Sequence, residues 1–240
     1  MDTLPGIDHI YIVHHPLAAR RRAAMDAWIA HERFAPSYIE YRSRHLAETL
    51  PQETIDRYYL PDPVEHARRA GAVSEGRSHH PHFPLDRREI AATIEHLDIF
   101  GDCIEKKYSR ILILEDDALF VSDFSDRIGA LMTQHLPSDA DIISLGDGCG
   151  LHIDKPPYAI ATRSDILLYE NPKHHMRCTD SYIITRAACE RLLPSIVPFA
   201  LAIDWEMSYQ CILHALHVYW AEPTLVTQGS FVGRYPSLLR

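Results

Sequence analysis

The sequence predicts a single α/β domain with a central sheet of buried strands flanked by helices. One observation is "HIYIVHH" (9–15), an apolar run typical of a buried strand, with a breaker-free helical segment after Pro16. Another is a helical pattern over 86–108 that leads directly into "RILILEDD" (110–117). A further one is "SYIITRAACERLLP" (181–194), a strand that turns into a helix. Strands that alternate with helices are the pattern of α/β proteins.

Composition limits the function classes. With 46% hydrophobic and 24% charged residues, the 240-residue chain has the make-up of an ordinary globular protein. A formal charge of -9 leaves no broad basic surface, so we expect no nucleic-acid partner. Five scattered cysteines without a CxxC pair suit reduced thiols. Neither a secretory signal nor a run of about 18 apolar residues is evident, which predicts a cytoplasmic protein.

The first half of the chain contains one weakly patterned segment and one strongly patterned helix. Residues 35–84 consist of short pieces separated by prolines and glycines, which we interpret as a variable insertion or lid within the domain 1–240. After it, Asp86 with Glu89 three positions later predicts a capping box. Apolar residues then recur at helical spacing, and the helix runs directly into the next strand.

The second half continues the same alternation. "DADIISLGDG" (139–148) predicts a short buried strand that ends in glycines, and Pro194 is expected to stop the helix that follows the 181–185 strand. Residues 201–228 predict a helix, a strand and a terminal segment. Asp204 is a candidate N-cap for a helix that begins at Trp205.

Three consecutive carboxylates, Glu115, Asp116 and Asp117, follow the most apolar strand. In open α/β sheets, ligands bind at the carboxyl ends of strands, where these residues fall. Adjacent carboxylates raise each other's pKa unless a cation neutralises them, and Mg²⁺ binds through one or two carboxylates plus substrate phosphates. A solvated turn or a helix cap explains three acids equally well, so the acidic run alone leaves these alternatives open.

Several short blocks together resemble glycosyltransferase family 25, which includes lipopolysaccharide and collagen glycosyltransferases. The blocks are "LDRREIAATIEHLDIF", "ILILEDDALF", "DADIISLG", "SYIITRAACERLL", "LAIDWEM" and "PTLVTQGS". Their order and rough spacing agree from about His9 to Ser230, except over 35–84. The chain departs from the family where His14 and His15 replace an Asn-Leu pair and Glu95 replaces a serine.

The resemblance implies a GT-A type fold, a nucleotide-sugar domain with a mixed, mainly parallel central sheet flanked by helices. In that fold the acidic motif holds Mn²⁺ or Mg²⁺ against the donor diphosphate. On this chain it implies Asp117 as a direct metal ligand, Glu115 as a second ligand or a contact to metal water or ribose, and Asp116 as an alternative ligand. The metal would stabilise charge on the leaving group as a Lewis acid.

The resemblance also implies a donor pocket that His14, Glu89 and His96 line. Glu89 and His96 are two helical turns apart and project from one side of the helix. A buried His96 hydrogen-bonded to Glu89 is an alternative that the spacing leaves open. Tyr182 could stack on a sugar ring, beside Asp180, which could accept hydrogen bonds from sugar hydroxyls.

The expected function is metal-dependent, inverting transfer of a hexose, with galactose from UDP-galactose as the family habit, to a saccharide acceptor such as lipooligosaccharide. Asp204 is the candidate base that takes the proton of the acceptor hydroxyl. A catalytically degenerate relative that only binds a nucleotide-sugar or glycan is one alternative. Another is a metal-dependent phosphoesterase, which needs further ligands at strand ends. Peripheral contact with the inner membrane face would use the basic residues Arg20 to Arg22, Arg234 and Arg240.

Overall fold

The computed structural model describes residues 3–74, 81–153 and 166–238. The strands are β1 His9–Val13, β2 Ile39–Arg42, β3 Arg110–Glu115, β4 Ala118–Phe120, β5 Ile142–Ser144, β6 Leu167–Glu170, β7 Ser181–Thr185, β8 Val218–Glu222 and β9 Val226–Gln228. The helices are α1 Ala19–Glu32, α2 Gln52–Tyr58, α3 Pro63–Val73, α4 Arg87–Glu105, α5 Phe124–Ala130, α6 Arg186–Ile196 and α7 Ile203–His214. Strands and helices alternate over much of the described chain, as the sequence predicts.

Seven described strands form one mixed sheet in the order β2-β1-β3-β7-β5-β8-β6. β1 is parallel to β2 and β3, and β5 is parallel to β8. β7 is antiparallel to β3 and β5, and β6 is antiparallel to β8. Five of these seven strands therefore point the same way, which confirms the mixed, mainly parallel sheet of a GT-A-like α/β fold. β4 and β9 form a separate antiparallel pair.

Helices cover both faces of the sheet because strand residues alternate between the faces. Tyr11 and Ile113 pack in the core that α4, α6 and α7 cover. Ile12 and Leu114, their neighbours along the strands, pack with Met25 of α1 and with residues of α5. The strands are thus buried on both sides, which explains why their sequences are continuously apolar. Among the described helices, none is long and apolar enough to cross a membrane.

The segment 35–84 contributes an edge strand to the sheet. Ile10 of β1 pairs with Ile39 of β2 in parallel. Later in the segment, α3 packs on α7, where Arg69 Nη1 donates to Glu206 Oε1 over 2.6 Å. In the described part of this segment, the weak sequence pattern therefore covers a strand and two α-helices, and the strand is short and only partly buried.

Helix boundaries test three sequence expectations. The capping box of α4 is confirmed, since Asp86 Oδ1 accepts the Glu89 N–H at 2.9 Å and Glu89 Oε2 accepts the Asp86 N–H at 2.9 Å. The expected stop at Pro194 is wrong, because α6 includes this proline and ends at Ile196. A proline in the last turn removes one hydrogen bond without preventing the next residues from staying helical. The cap of α7 is Ala202, so Asp204 lies in the first turn.

Candidate active site

A cleft lies at the carboxyl ends of β1 and β3, where the chain leaves β1 toward β2 and later returns to β3 on the other side. Such a reversal of strand order is where open α/β sheets bind ligands. The polar residues that line it include His14, Arg21, His45, Glu95, Glu115 and Asp116. His14, His96, Glu115 and Asp116, four of the residues that the sequence singles out, therefore meet at this cleft.

Asp116 is the most fully paired carboxylate of the acidic motif. Arg21 Nη1 of α1 donates to its Oδ1 at 2.7 Å, and His14 Nδ1 lies 2.8 Å from its Oδ2. The backbone N–H of His15 also donates to Oδ2, at 3.2 Å. Asp116 thus joins β1, α1 and β3, and both of its oxygens already have partners, which leaves it poorly placed as an alternative metal ligand.

Glu115 and Asp117 are less well compensated. Glu115 Oε1 accepts the Thr179 hydroxyl at 2.7 Å, while burial and then the charge of Asp117 raise the pKa of Glu115 to about 8. Asp117 is buried, and its Oδ2 accepts the Ser230 N–H at 2.9 Å. Among the described residues, Asp117 Oδ1 has no hydrogen-bond partner. Burial and the repulsion between neighbouring carboxyl groups thus disfavour the charged form of Glu115 beside the cleft.

Asp180 adds another buried carboxylate to this edge of the sheet, because β7 runs antiparallel and begins where β3 ends. It is 1% exposed, and neither carboxylate oxygen has a hydrogen-bond partner within the described ranges. Burial, followed by the charges of Asp147 and Asp117, raises the pKa of Asp180 to about 8. Gly146 makes room for it, since an added Cβ would lie 1.7 Å from Asp180 Oδ2.

The chemistry of these residues fits a divalent cation. Carboxylate oxygens are the ligands that Mg²⁺ and Mn²⁺ prefer, and Asp117 and Asp180 provide three that are buried and have no partner within the described ranges. In the part of the chain that the structure describes, however, no three His, Cys, Asp or Glu side chains converge on one metal position. The donor set is therefore suitable in kind, without the arrangement of a closed metal site.

Two predicted pocket residues on the helical side are deeply buried. His96 Nδ1 lies 2.8 Å from the Tyr182 hydroxyl, and burial lowers the pKa of His96 to about 3, so its imidazole is neutral. The His96–Glu89 hydrogen bond considered above is not the observed pairing, since Glu89 accepts from Asp86. Tyr182 is 0% exposed, and in this structure its ring has no open face for a sugar.

Glu89 and Asp204 lie near each other at the starts of α4 and α7. Burial is the largest influence on the pKa of Glu89 and raises it, and the charges of Asp86 and Asp204 add to the increase. Asp204 is partly exposed. The structure thus places the predicted base beside a second carboxylate at the first turns of two helices.

The basic residues considered for lipid contact differ in accessibility. Arg21 is buried and engaged by Asp116, so its charge is used inside the protein. Arg20 and Arg22 are exposed, and Arg22 pairs with Asp26. Arg234 is exposed, and Arg240 lies outside the described residues.

A mixed α/β sheet with a cleft at its strand reversal and acidic residues beside that cleft agrees with a GT-A-like fold. A sequence model described as glycosyltransferase family 25 (LPS biosynthesis protein) matches residues 8–207. Because the match covers most of the chain, the protein belongs to glycosyltransferase family 25 and is a glycosyltransferase. No curated protein matches the chain.

Proposed function

We propose that the protein transfers a hexose, such as galactose, from a UDP-sugar to a saccharide acceptor of lipopolysaccharide biosynthesis, such as lipooligosaccharide, with inversion and with Mn²⁺ or Mg²⁺. The observation that carries the proposal is the set of buried carboxylate oxygens on Asp117 and Asp180, beside the cleft, that have no hydrogen-bond partner among the described residues. Family membership supports glycosyl transfer and a role in lipopolysaccharide biosynthesis. Donor, metal and acceptor are the proposed parts.

The acidic residues would hold the cation at the end of β3. Asp117 and Glu115 are the proposed ligands, with Asp180 as the further carboxylate that faces the same cluster. When bound, the cation supplies Lewis-acid stabilisation of the charge that develops on the leaving diphosphate. Arg21 is already committed to Asp116, and this pair fixes the cleft wall formed by α1 and β1.

Asp204 is the proposed base for the acceptor. Its carboxylate, partly exposed in the first turn of α7, would take the proton from the acceptor hydroxyl as that oxygen attacks the sugar. Glu89, whose pKa burial raises, lies close enough for its charge to interact with that of Asp204. Replacement of Asp204 by Asn would then abolish transfer while leaving donor binding intact.

Calorimetric titration with UDP, with and without Mn²⁺, tests the donor site. Wild-type protein is expected to bind UDP in a Mn²⁺-dependent manner, and Asp117→Asn is expected to lose this dependence. Asp123→Asn is the matched control, because Asp123 is an exposed carboxylate that pairs with Arg127 on the surface. Binding that ignores both Mn²⁺ and Asp117 would contradict the metal-dependent donor site.

Turnover separates this proposal from a relative that only binds nucleotide-sugars. A binding module would retain UDP-galactose without releasing UDP, whereas a working enzyme releases UDP on addition of acceptor and slowly by hydrolysis without it. A phosphoesterase is not retained, because the family assignment gives glycosyl transfer.

A cytoplasmic location with peripheral contact at the inner membrane face also remains a proposal. Exposed Arg20, Arg22 and Arg234 are the candidates for anionic lipid. Flotation with anionic vesicles, compared with neutral vesicles, tests the contact, and equal recovery from both would remove it.

A further inference from the structure

One wall of the cleft carries a carboxylate with one hydrogen-bonded oxygen and one that has no partner among the described residues. Glu95 lies in α4, is 2% exposed and lines the cleft. Its Oε2 accepts backbone N–H groups of Arg44 at 2.7 Å and His45 at 2.9 Å. Its Oε1 is buried and has no hydrogen-bond partner within 3–74, 81–153 and 166–238.

The two backbone donors hold Glu95 in one orientation, so Oε1 is an acceptor fixed before any ligand arrives. Burial raises the pKa of Glu95, and the N–H groups of residues 44 and 45 together with the charges of His45 and Arg42 oppose this increase. A buried acceptor without a partner is unfavourable, and a donor on a ligand would relieve that cost. Glu95 is therefore suited to recognise a hydrogen-bond donor.

The surroundings of Glu95 differ from the acidic end of the cleft. Ala91 and Ala92 precede it by four and three residues, so they share its face of α4. Leu46 and Ala47 follow His45, whose N–H binds Glu95, and they also line the cleft. Arg42 and Arg88 also line the cleft, so small apolar residues stand beside a few polar groups, which is typical of ligand pockets. The diphosphate would lie at Glu115 instead.

We propose that Glu95 is a specificity-determining residue, whose Oε1 accepts a hydrogen bond from the nucleoside part of the donor. The inference rests on the proposed function, because it assigns this end of the cleft to a nucleotide. The donor group is an N–H of the base edge or an O–H of the ribose. Either group would donate a hydrogen bond to the carboxylate, and binding of UDP analogues distinguishes the two.

Glu95→Gln tests the acceptor directly. The amide oxygen can still accept from the N–H groups of residues 44 and 45. The NH₂ group takes the place of Oε1, so the N–H or O–H of the nucleoside meets a second donor instead of an acceptor. With UDP and Mn²⁺ we expect the Kd to rise about tenfold or more, as expected when a buried polar contact is mismatched. Glu105→Gln, which changes an exposed carboxylate of the same helix, is expected to leave the Kd unchanged.

Analogues of UDP identify the group that Glu95 recognises, and they probe the wild-type protein even if Glu95→Gln folds poorly. N3-methyl-UDP removes the base N–H, and 2′-deoxy-UDP and 3′-deoxy-UDP each remove one ribose hydroxyl. The wild type should discriminate against one analogue, and Glu95→Gln should lose that discrimination. Equal binding of all three by the wild type, or UDP binding that Glu95→Gln leaves unchanged, would overturn the inference alone.

Failure of the proposed function has a different signature. If the wild-type protein bound none of UDP, ADP, GDP and CDP in the presence of Mn²⁺, the nucleotide site itself would be wrong, and the role of Glu95 would fall with it. Thermal unfolding of the wild type, Glu95→Gln and Glu105→Gln under the same conditions shows that each titrated sample is folded.

Discussion

Asp116 and Asp117 are neighbours in the chain, and their surroundings are opposite. Asp116 has a cation, a histidine and a backbone N–H around its two oxygens. Asp117 has one backbone donor at Oδ2, the Arg21 guanidinium at 4.0 Å, and, among the described residues, no partner at Oδ1. One carboxylate thus joins β1, α1 and β3 at the cleft, and the other is the ligand that we propose for the cation. The acidic motif combines both roles at one strand end.

The largest expected effect comes from breaking the ion pair between Arg21 and Asp116. Arg21→Met removes the cation from Asp116, whose side chain is 5% exposed, and leaves a buried charge without its main partner. Loss of one partner of a buried ion pair costs about 3–5 kcal/mol. Urea unfolding at neutral pH measures the loss.

The neighbouring Arg22 provides the control for this experiment. Its partner Asp26 is exposed, so Arg22→Met should change the unfolding free energy by less than about 1 kcal/mol. Equal effects of Arg21→Met and Arg22→Met would show that Asp116 does not depend on its ion pair.

We expect a cation to stabilise the protein by binding to the oxygens of Asp117 and Asp180 that have no partner among the described residues. If Mn²⁺ binds at Asp117 and Asp180, then Mn²⁺ at 100 times its Kd stabilises the wild-type protein by about 2.7 kcal/mol. Asp180→Asn is expected to lose most of that stabilisation. Asp116→Asn is expected to retain it, although its starting stability is lower. Thermal unfolding with and without Mn²⁺ distinguishes them, and a response in Asp180→Asn equal to the wild type would exclude Asp180 from the cation site.

Gly146 tests whether the position of Asp180 is enforced by packing. A Cβ at 146 would lie 1.7 Å from Asp180 Oδ2, so Gly146→Ala forces the carboxylate to move. Overpacking of this kind costs about 1–3 kcal/mol, and the double variant with Asp180→Ala should recover much of the loss. Gly101→Ala is the control, because a Cβ there meets nothing within 4 Å and a helical alanine is favoured by about 1 kcal/mol. Urea unfolding of the wild type, Gly146→Ala, Asp180→Ala and the double variant gives the coupling free energy.

Much of the fold could be predicted from local sequence. β1, β3 and β7 are largely apolar because they are buried on both faces, and α4 begins with a capping box that Asp86 and Glu89 define. β2 was not predicted, because its four residues are mostly half-buried, include Glu40 and Arg42, and owe their strand conformation to pairing with β1. Such pairing has no local signal.

The site could be predicted only in part, because contacts between residues far apart in the chain also have no local sequence signal. The acidic run at the end of β3 predicts the edge of the sheet at which the structure has a cleft. The partner of Asp116, however, is Arg21, 95 residues earlier, and the basic run that contains Arg21 resembles an ordinary exposed helix face. The sequence suggests Asp180 only as a contact to sugar hydroxyls and Glu95 only as a departure from the family, whereas the fold shows that their carboxylate oxygens are buried and, among the described residues, not all paired.

The smallest predicted effect concerns the opposite wall of the cleft, where the ion pair between His45 and Asp98 is partly exposed, unlike that of Asp116. The Asp98 carboxylate, 2.8 Å from His45 Nε2, raises the pKa of His45 above its usual 6.5. Because the folded pKa is raised, the stability that this pair contributes is fully present below pH 6.5 and disappears as the pH rises through the folded value. Side-chain exposures of 21% and 29% allow solvent to screen the pair, so we expect about 0.5 kcal/mol. Asp98→Asn should therefore destabilise the protein at pH 5.5 and have no effect through His45 at pH 8.5, as measured by urea unfolding at both values. A loss that is the same at both pH values would show that Asp98 acts through packing and not through the charge of His45.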